Sequence, residues 1–149
     1  VTCLGNSLPH ILSETDLDEA LADFHAILNP GGVFILQNNN YDAILKERRR
    51  FMPLAVGQRA GREYLFFRFF DFEGEKVVFH VVTFVKEEET WSYQADSVPQ
   101  RPLLQTDLAG RLLKAGFSSH LIWYGDCEGN PFDPTASPNL VVVGVREMR

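Results

Sequence analysis

The stretch Leu28 to Asp42 reads LNPGGVFILQNNNYD. Asn29-Pro30-Gly31-Gly32 is a helix stop, because proline cannot continue a helix and glycine takes the left-handed conformation that ends one. Val33 to Leu36 is a continuous apolar run with turn residues on both sides, and a run without alternation predicts a strand covered on both faces. Asn38-Asn39-Asn40 then leads the chain out through residues suited to an exit turn. Upstream, Leu17, Ala20, Leu21, Phe24, Ile27 and Leu28 fall at helical spacing in a helix beginning at Thr15. Ser13 and Thr15 can cap it, and Asp16, Asp18 and Glu19 favour its positive end. Before that helix lies Val1 to Leu4, a second apolar run that ends in Gly5-Asn6-Ser7. Strand, crossover helix and strand form a βαβ unit with two parallel strands.

Downstream, Tyr41 to Arg49 predicts a short helix. The segments REYLFFRFFDFE (Arg62 to Glu73) and KVVFHVVTFVK (Lys76 to Lys86) are rich in aromatic and β-branched residues. With Glu73-Gly74-Glu75 between them they predict an antiparallel hairpin, to which Trp91 to Ser97 adds a third strand. Polar residues interrupt these strands, as expected of a sheet with one wetter face. A helix starting at Thr106 and Asp107 carries Leu108, Leu112, Leu113 and Ala115 and stops at Gly116. Ser118 to Tyr124 reads as a strand, Gly125 to Pro138 as a loop and Leu140 to Val145 as the last strand. The predicted fold is α/β with an inserted antiparallel segment spanning residues 60–101, within one domain spanning 1–149.

Composition narrows the function. The chain has 149 residues, 45% hydrophobic and 23% charged, which are ordinary globular values. A net charge of −6 argues against a nucleic-acid partner, which would call for a basic face. The single basic run, Lys46 to Arg50 (KERRR), reads as a solvated helix end. No apolar run approaches the ~18 residues of a membrane span. Cys3 and Cys127 make neither a disulfide framework nor a metal pattern, so reduced thiols in a cytoplasmic protein and no bound metal are expected. A strand at the first residue, with no methionine or lead-in, is expected of a truncated or processed chain. Its free side would expose an apolar edge prone to association. The sequence contains neither G-x-G-x-x-G nor G-x-x-x-x-G-K.

Several segments together resemble the second half of a class I S-adenosylmethionine-dependent methyltransferase, in the glycine and sarcosine N-methyltransferase branch. They are VTCLGNSLPHIL, LNPGGVFILQNNNYDAIL, RPLLQTDLAGRLLKAGF and NLVVVGVR. The resemblance implies a Rossmann-like sheet in the order three-two-one-four-five-seven-six, of which this chain supplies strands four to seven. It implies S-adenosylmethionine as cofactor and a small-molecule methyl acceptor. The family's glycine-rich cofactor loop and ribose-binding acid have no counterpart in this sequence. The rival reading is a non-enzymatic, methyltransferase-like association module.

Ligands of open α/β sheets sit outside the carboxyl ends of the strands, where strand order reverses. The resemblance therefore places Leu4, Gly5, Asn6 and His10 at the cofactor, and Asn6, Asn40 and Tyr41 at the substrate. The alternatives are an ordinary strand end for Leu4 and Gly5 and a capping role for His10. The family's glycine-methylating members read H-R-N-Y-D where this chain reads Asn38-Asn39-Asn40-Tyr41-Asp42. Asn39 cannot supply the charged, bidentate carboxylate clamp of that arginine, so glycine and sarcosine are not the implied acceptors. The aromatic hairpin reads either as a core or interface face or as a lid over the acceptor. No residue is assigned as a chemical catalyst.

Overall fold

The computed structural model describes residues 1–148. The first sheet contains β1 (Thr2–Cys3), β2 (Val33–Asn39), β7 (Ile122–Tyr124) and β8 (Asn139–Val145), in the order β1-β2-β8-β7. β1 runs parallel to β2, and β8 runs antiparallel to both β2 and β7. This is the four-five-seven-six order implied by the resemblance.

Helices α1 (Glu14–Ile27) and α3 (Gln105–Lys114) lie on the same face of this sheet. Leu17 and Leu21 from α1, and Leu108 and Leu112 from α3, are fully buried against Phe34, Leu36, Leu140 and Val142. Each such side chain contributes roughly 1.5–3 kcal/mol by leaving water. Phe34 is the centrepiece, stacked on Phe24 at 5.3 Å and tilted against Phe117 at 5.2 Å. The opposite face is less covered than the apolar run predicted: Val33 and Ile122 are exposed, and Ile35 and Gln37 are half-buried. Among the described residues both helices lie on one face, so the alternation Val33, Ile35, Gln37 meets no helix.

The helix ends follow local chemistry. Ser13 caps α1 by accepting from the Asp16 amide at 3.3 Å. At its other end the Arg146 guanidinium donates to the carbonyls of His25, Ala26 and Leu28. Any side chain at Gly32 would put a Cβ 2.7 Å from the Asn29 carbonyl oxygen, so the stop needs glycine there. The short helix α2 (Tyr41–Glu47) is capped by Asn40, whose Oδ1 accepts from the Ala43 amide. The N-cap residue of α3 is Leu104, not Thr106, and it has no capping side chain. Asp42, from α2, accepts from the Gln105 amide at 3.0 Å in its place.

The second sheet is a four-stranded antiparallel meander: β3 (Ala55–Arg59), β4 (Arg62–Glu73), β5 (Lys76–Glu87) and β6 (Thr90–Gln100). It exceeds the predicted hairpin by one strand at its start, and β6 is longer than the Trp91 to Ser97 expected. β3 was missed because Ala55-Val56-Gly57-Gln58-Arg59 lacks aromatic enrichment and has a glycine inside. The available signal was Ala60-Gly61, two residues of positive φ (52° and 75°) joining two runs, which is a two-residue hairpin turn. One end of the meander is anchored, with Phe70 and Val77 fully buried against Tyr41 and Ile44. Neither face of its far end is buried among the described residues, where Val56 and Tyr93 are exposed.

The basic run is exposed, as a solvated helix end would be, and its guanidinium groups make surface contacts. Arg48 lies over the Phe72 ring at 4.8 Å, Arg49 pairs with Glu47 at 2.6 Å, and Arg50 pairs with Asp71 at 2.6 Å. The Arg48 and Arg50 contacts join the exit of α2 to the meander, whereas the Arg49–Glu47 pair is local.

Candidate functional site

The carboxyl ends of the parallel strands β1 and β2 place Leu4 to Asn6 beside Gln37 to Tyr41. Gly5 and Asn6 both take left-handed backbone, with φ of 71° and 58°, which turns the chain sharply out of the sheet. Glycine adopts this freely, and asparagine tolerates it better than most residues. The turn is tied down by the Gly5 amide donating to Gln37 Oε1 at 2.7 Å and by the Ser7 hydroxyl donating to the Leu4 carbonyl at 2.7 Å. Leu4 is left 48% exposed at the end of its strand, and a Cβ built on Gly5 would meet nothing within 4 Å. An apolar side chain and bare backbone thus face open space at the position where α/β sheets bind ligands.

Behind this turn runs a chain of polar groups. The backbone amide of Asn39 donates to Asn6 Oδ1 at 2.9 Å, and Asn6 Nδ2 donates to the Tyr41 hydroxyl at 3.0 Å. The Tyr41 hydroxyl donates to Gln100 Oε1 at 2.9 Å, and Gln100 Nε2 lies 3.2 Å from His10 Nε2. Asn6, His10 and Tyr41 are therefore brought together. Burial pushes the Tyr41 phenol up to about 12 despite its hydrogen bonds, so it remains a neutral donor at ordinary pH. Gln100, at the end of β6 and 1% exposed, was missed by sequence reasoning. Nothing in a strand's alternation marks a residue whose partners lie 59 and 90 positions away.

Asn40 and Tyr41 are buried and spend their polar atoms inside the chain. Asn40 Nδ2 reaches the carbonyls of Asp133, Pro134 and Ser137, the shortest at 2.9 Å, while its Oδ1 caps α2. Asn39 and Asn40 also border a cavity of about 160 Å³ whose walls include Ile44, Arg49, Phe51 and Phe70. Asn38 is fully buried, and both its amide atoms lack a hydrogen-bond partner among the described residues.

Away from this edge, Asp126 accepts from the Glu128 and Asn130 amides and the Asn130 side chain. These bonds, led by that side chain, hold its carboxyl below the usual range. It organises a loop in which Cys127 is exposed, while burial pushes the Cys3 thiol up. The meander brings Ser97, His80 and Asp71 together across three strands, with Ser97 Oγ 2.7 Å from Nδ1 and Asp71 Oδ2 3.2 Å from Nε2. His80 also stacks on Phe69 at 4.5 Å. This is a cross-strand packing cluster, since the Asp71 contact lies off hydrogen-bond geometry and Nε2 has no true partner. Among the described residues no group of three His, Cys, Asp or Glu could hold a metal, and no helix is long and apolar enough to cross a membrane.

No family model matches the chain. It is 51% identical over 45 residues to a glycine/sarcosine N-methyltransferase of Halorhodospira halochloris; the aligned segment is 30% of this chain and 17% of that protein. Among solved structures it is similar to an S-adenosylmethionine-dependent methyltransferase from Clostridium acetobutylicum, with a TM-score of 0.72 at 19% identity. That alignment covers 99% of this chain and 57% of the other. It is also similar to an amino pentose methyltransferase from Micromonospora echinaspora, with a TM-score of 0.70 at 16% identity, over 98% of this chain and 57% of that one. The chain thus spans little more than half the length of these structures. It carries part of the Rossmann-like fold of the S-adenosylmethionine-dependent methyltransferases.

Proposed function

We propose that this chain is part of an S-adenosylmethionine-dependent methyltransferase that methylates a small molecule at nitrogen. The observation that carries this reading is the left-handed turn at Gly5-Asn6, which holds Leu4 and open backbone at the carboxyl edge of the sheet. When bound, the cofactor supplies a methyl group on a sulfonium that is its own leaving group. Little is left for side chains to do chemically, so the chain's task is to position two reactants and exclude water. Leu4 gives an apolar surface, Gly5 lets a ligand approach the backbone, and Asn6 and His10 offer polar contacts beside them. Asn40 and Tyr41 support this turn from behind, through the α2 cap and the Asn6 hydrogen bond.

The acceptor in this reading is a small amine held without an arginine clamp at position 39. The cavity beside Asn39 and Asn40, walled by Phe51 and Phe70, fits a compact apolar portion of such a molecule. Segment 60–101 thereby lids the acceptor with its anchored end. Its far end, with Trp91 and Tyr93 exposed, is the surface on which a second copy packs. Light scattering across a concentration series checks that surface: growth in mass that Tyr93→Ser abolishes supports it, and a monomer at every concentration refutes it.

Titration of the chain with S-adenosylhomocysteine, followed residue by residue by nuclear magnetic resonance, tests the cofactor reading. Weak binding is expected, because the sequence has no counterpart of the family's glycine-rich cofactor loop. The expected result is shifts centred on Leu4, Gly5, Asn6 and His10. Shifts confined to the far end of the meander, or none at millimolar ligand, would overturn the assignment.

A further inference from the structure

We infer that Gln100 is a positioning residue that holds the neutral His10 ring in the tautomer protonated at Nδ1. Under this assignment His10 offers a ligand a hydrogen-bond donor and not a base. The argument follows obligatory donors from one end of the network to the other. A backbone amide can only donate, so the Asn39 amide, 2.9 Å away, identifies its partner on Asn6 as Oδ1. The other amide atom of Asn6 is then Nδ2, a donor, placed 3.0 Å from the Tyr41 hydroxyl and 3.4 Å from Gln100. The Tyr41 oxygen accepts from Asn6, and its own proton points to the nearer acceptor on Gln100 at 2.9 Å.

That end of Gln100 therefore is Oε1. Rotating its amide would set an NH2 against the Asn6 NH2 and leave the Tyr41 proton only the contact at 3.4 Å to Asn6 Oδ1. Gln100 is 1% exposed, so an amide donor there must find a partner inside the protein. Its Nε2 finds His10 Nε2 at 3.2 Å. Because Gln100 Nε2 can only donate, the histidine nitrogen facing it carries the lone pair and the ring proton sits on Nδ1. As a residue His10 is exposed, and under this assignment its Nδ1–H is the group that would meet a ligand oxygen. A proton from an acceptor amine would have to go elsewhere, to solvent or to another base.

The role toward a ligand rests on the methyltransferase reading, whereas the tautomer does not. Long-range proton–nitrogen correlation spectra of the whole chain, with His10 identified through His10→Asn, read the tautomer directly. The expected wild-type spectrum shows His10 Nε2 as the bare nitrogen and Nδ1 as the protonated one. Gln100→Glu keeps an acceptor for Tyr41 and Asn6 but turns an acceptor toward His10, and it should move the proton to Nε2. Gln100→Met removes the donor without a buried charge, and it should return His10 to the mixture of tautomers of an unconstrained histidine side chain.

A wild-type ring protonated at Nε2 would overturn the inference, as would an Nδ1 tautomer that persists in the Glu or Met variant. If S-adenosylhomocysteine fails to shift His10 while the tautomer is as stated, the methyltransferase reading fails and the inference about Gln100 stands.

Discussion

The two sheets are stabilised in opposite ways. The first has short strands and two helices on one face, and its largest buried side chains belong to that contact. The second has strands of eleven and twelve residues in β4, β5 and β6 and no helix over its far end. It relies on cross-strand aromatic neighbours, such as Phe70–Phe79 at 5.1 Å and Phe84–Tyr93 at 6.1 Å, each modest in energy. A helix-covered sheet fixes its strand ends rigidly, which suits a site. An open aromatic sheet is free to be covered by something else. The network from Asn6 to Gln100 joins the two, so the candidate site lies where the rigid sheet meets the anchored end of the open one.

The largest test of this contrast removes one aromatic from each sheet. Phe34→Ala should cost about 3–5 kcal/mol, because a fully buried ring leaves a cavity that the stacked Phe24 and Phe117 fill only in part. Tyr93→Ser, at a side chain 73% exposed, should change stability by about 0.5 kcal/mol or less. Chemical denaturation of both variants measures the gap. Similar losses would mean the second sheet packs as tightly as the first.

Next in size is the alkaline limb set by Tyr41. Its phenol is raised by burial to about 12, above the ~10 of an unfolded chain. The folded state therefore holds this proton more tightly, and the resulting stability is complete below about pH 10 and lost as pH rises toward 12. The loss is about 2–3 kcal/mol across that window. Stability curves from pH 8 to 12 should show it in the wild type and not in Tyr41→Phe. An equal alkaline loss in both would place the titrating group elsewhere.

Asn6 separates the turn from the network. Asn6→Ala should cost about 2 kcal/mol, since it strains a left-handed position and strands the half-buried Asn39 amide. Asn6→Gly should recover the strain but not the hydrogen bonds, ending between the two. Thermal melts that rank Gly at or below Ala would contradict the assignment of strain.

The smallest effect lies between α1 and α3, where Asp18 meets Arg111 and Lys114 at 2.6 Å each. Hydrogen bonds from Lys114 first, then Arg111, hold its carboxyl below the usual range. That stability is present above about pH 4 and disappears as pH falls through the lowered value. After discount for solvent screening, Asp18→Asn should cost about 1 kcal/mol at pH 7 and nothing near pH 2. A deficit that persists in acid would point to packing instead of charge.

Much of this was legible along the chain because its causes are local. Asn29-Pro30-Gly31-Gly32 could only end a helix, and the spacing of Leu17, Leu21 and Phe24 could only be helical. The turn at Gly5-Asn6 was marked by small residues capable of left-handed backbone. The sequence by itself determined that βαβ unit, the aromatic strands and the polar ends of the parallel strands.

Tertiary structure decided what depends on partners distant in the chain. It placed both helices on one face, recruited Asp42 to cap α3, drew β3 onto the edge of the meander and buried Gln100 between Tyr41 and His10. A hydrogen-bond donor is the same in every conformation, but its partner is chosen only when the fold closes. For that reason His10 could be marked in the sequence as a candidate, while its contact with Gln100 could not.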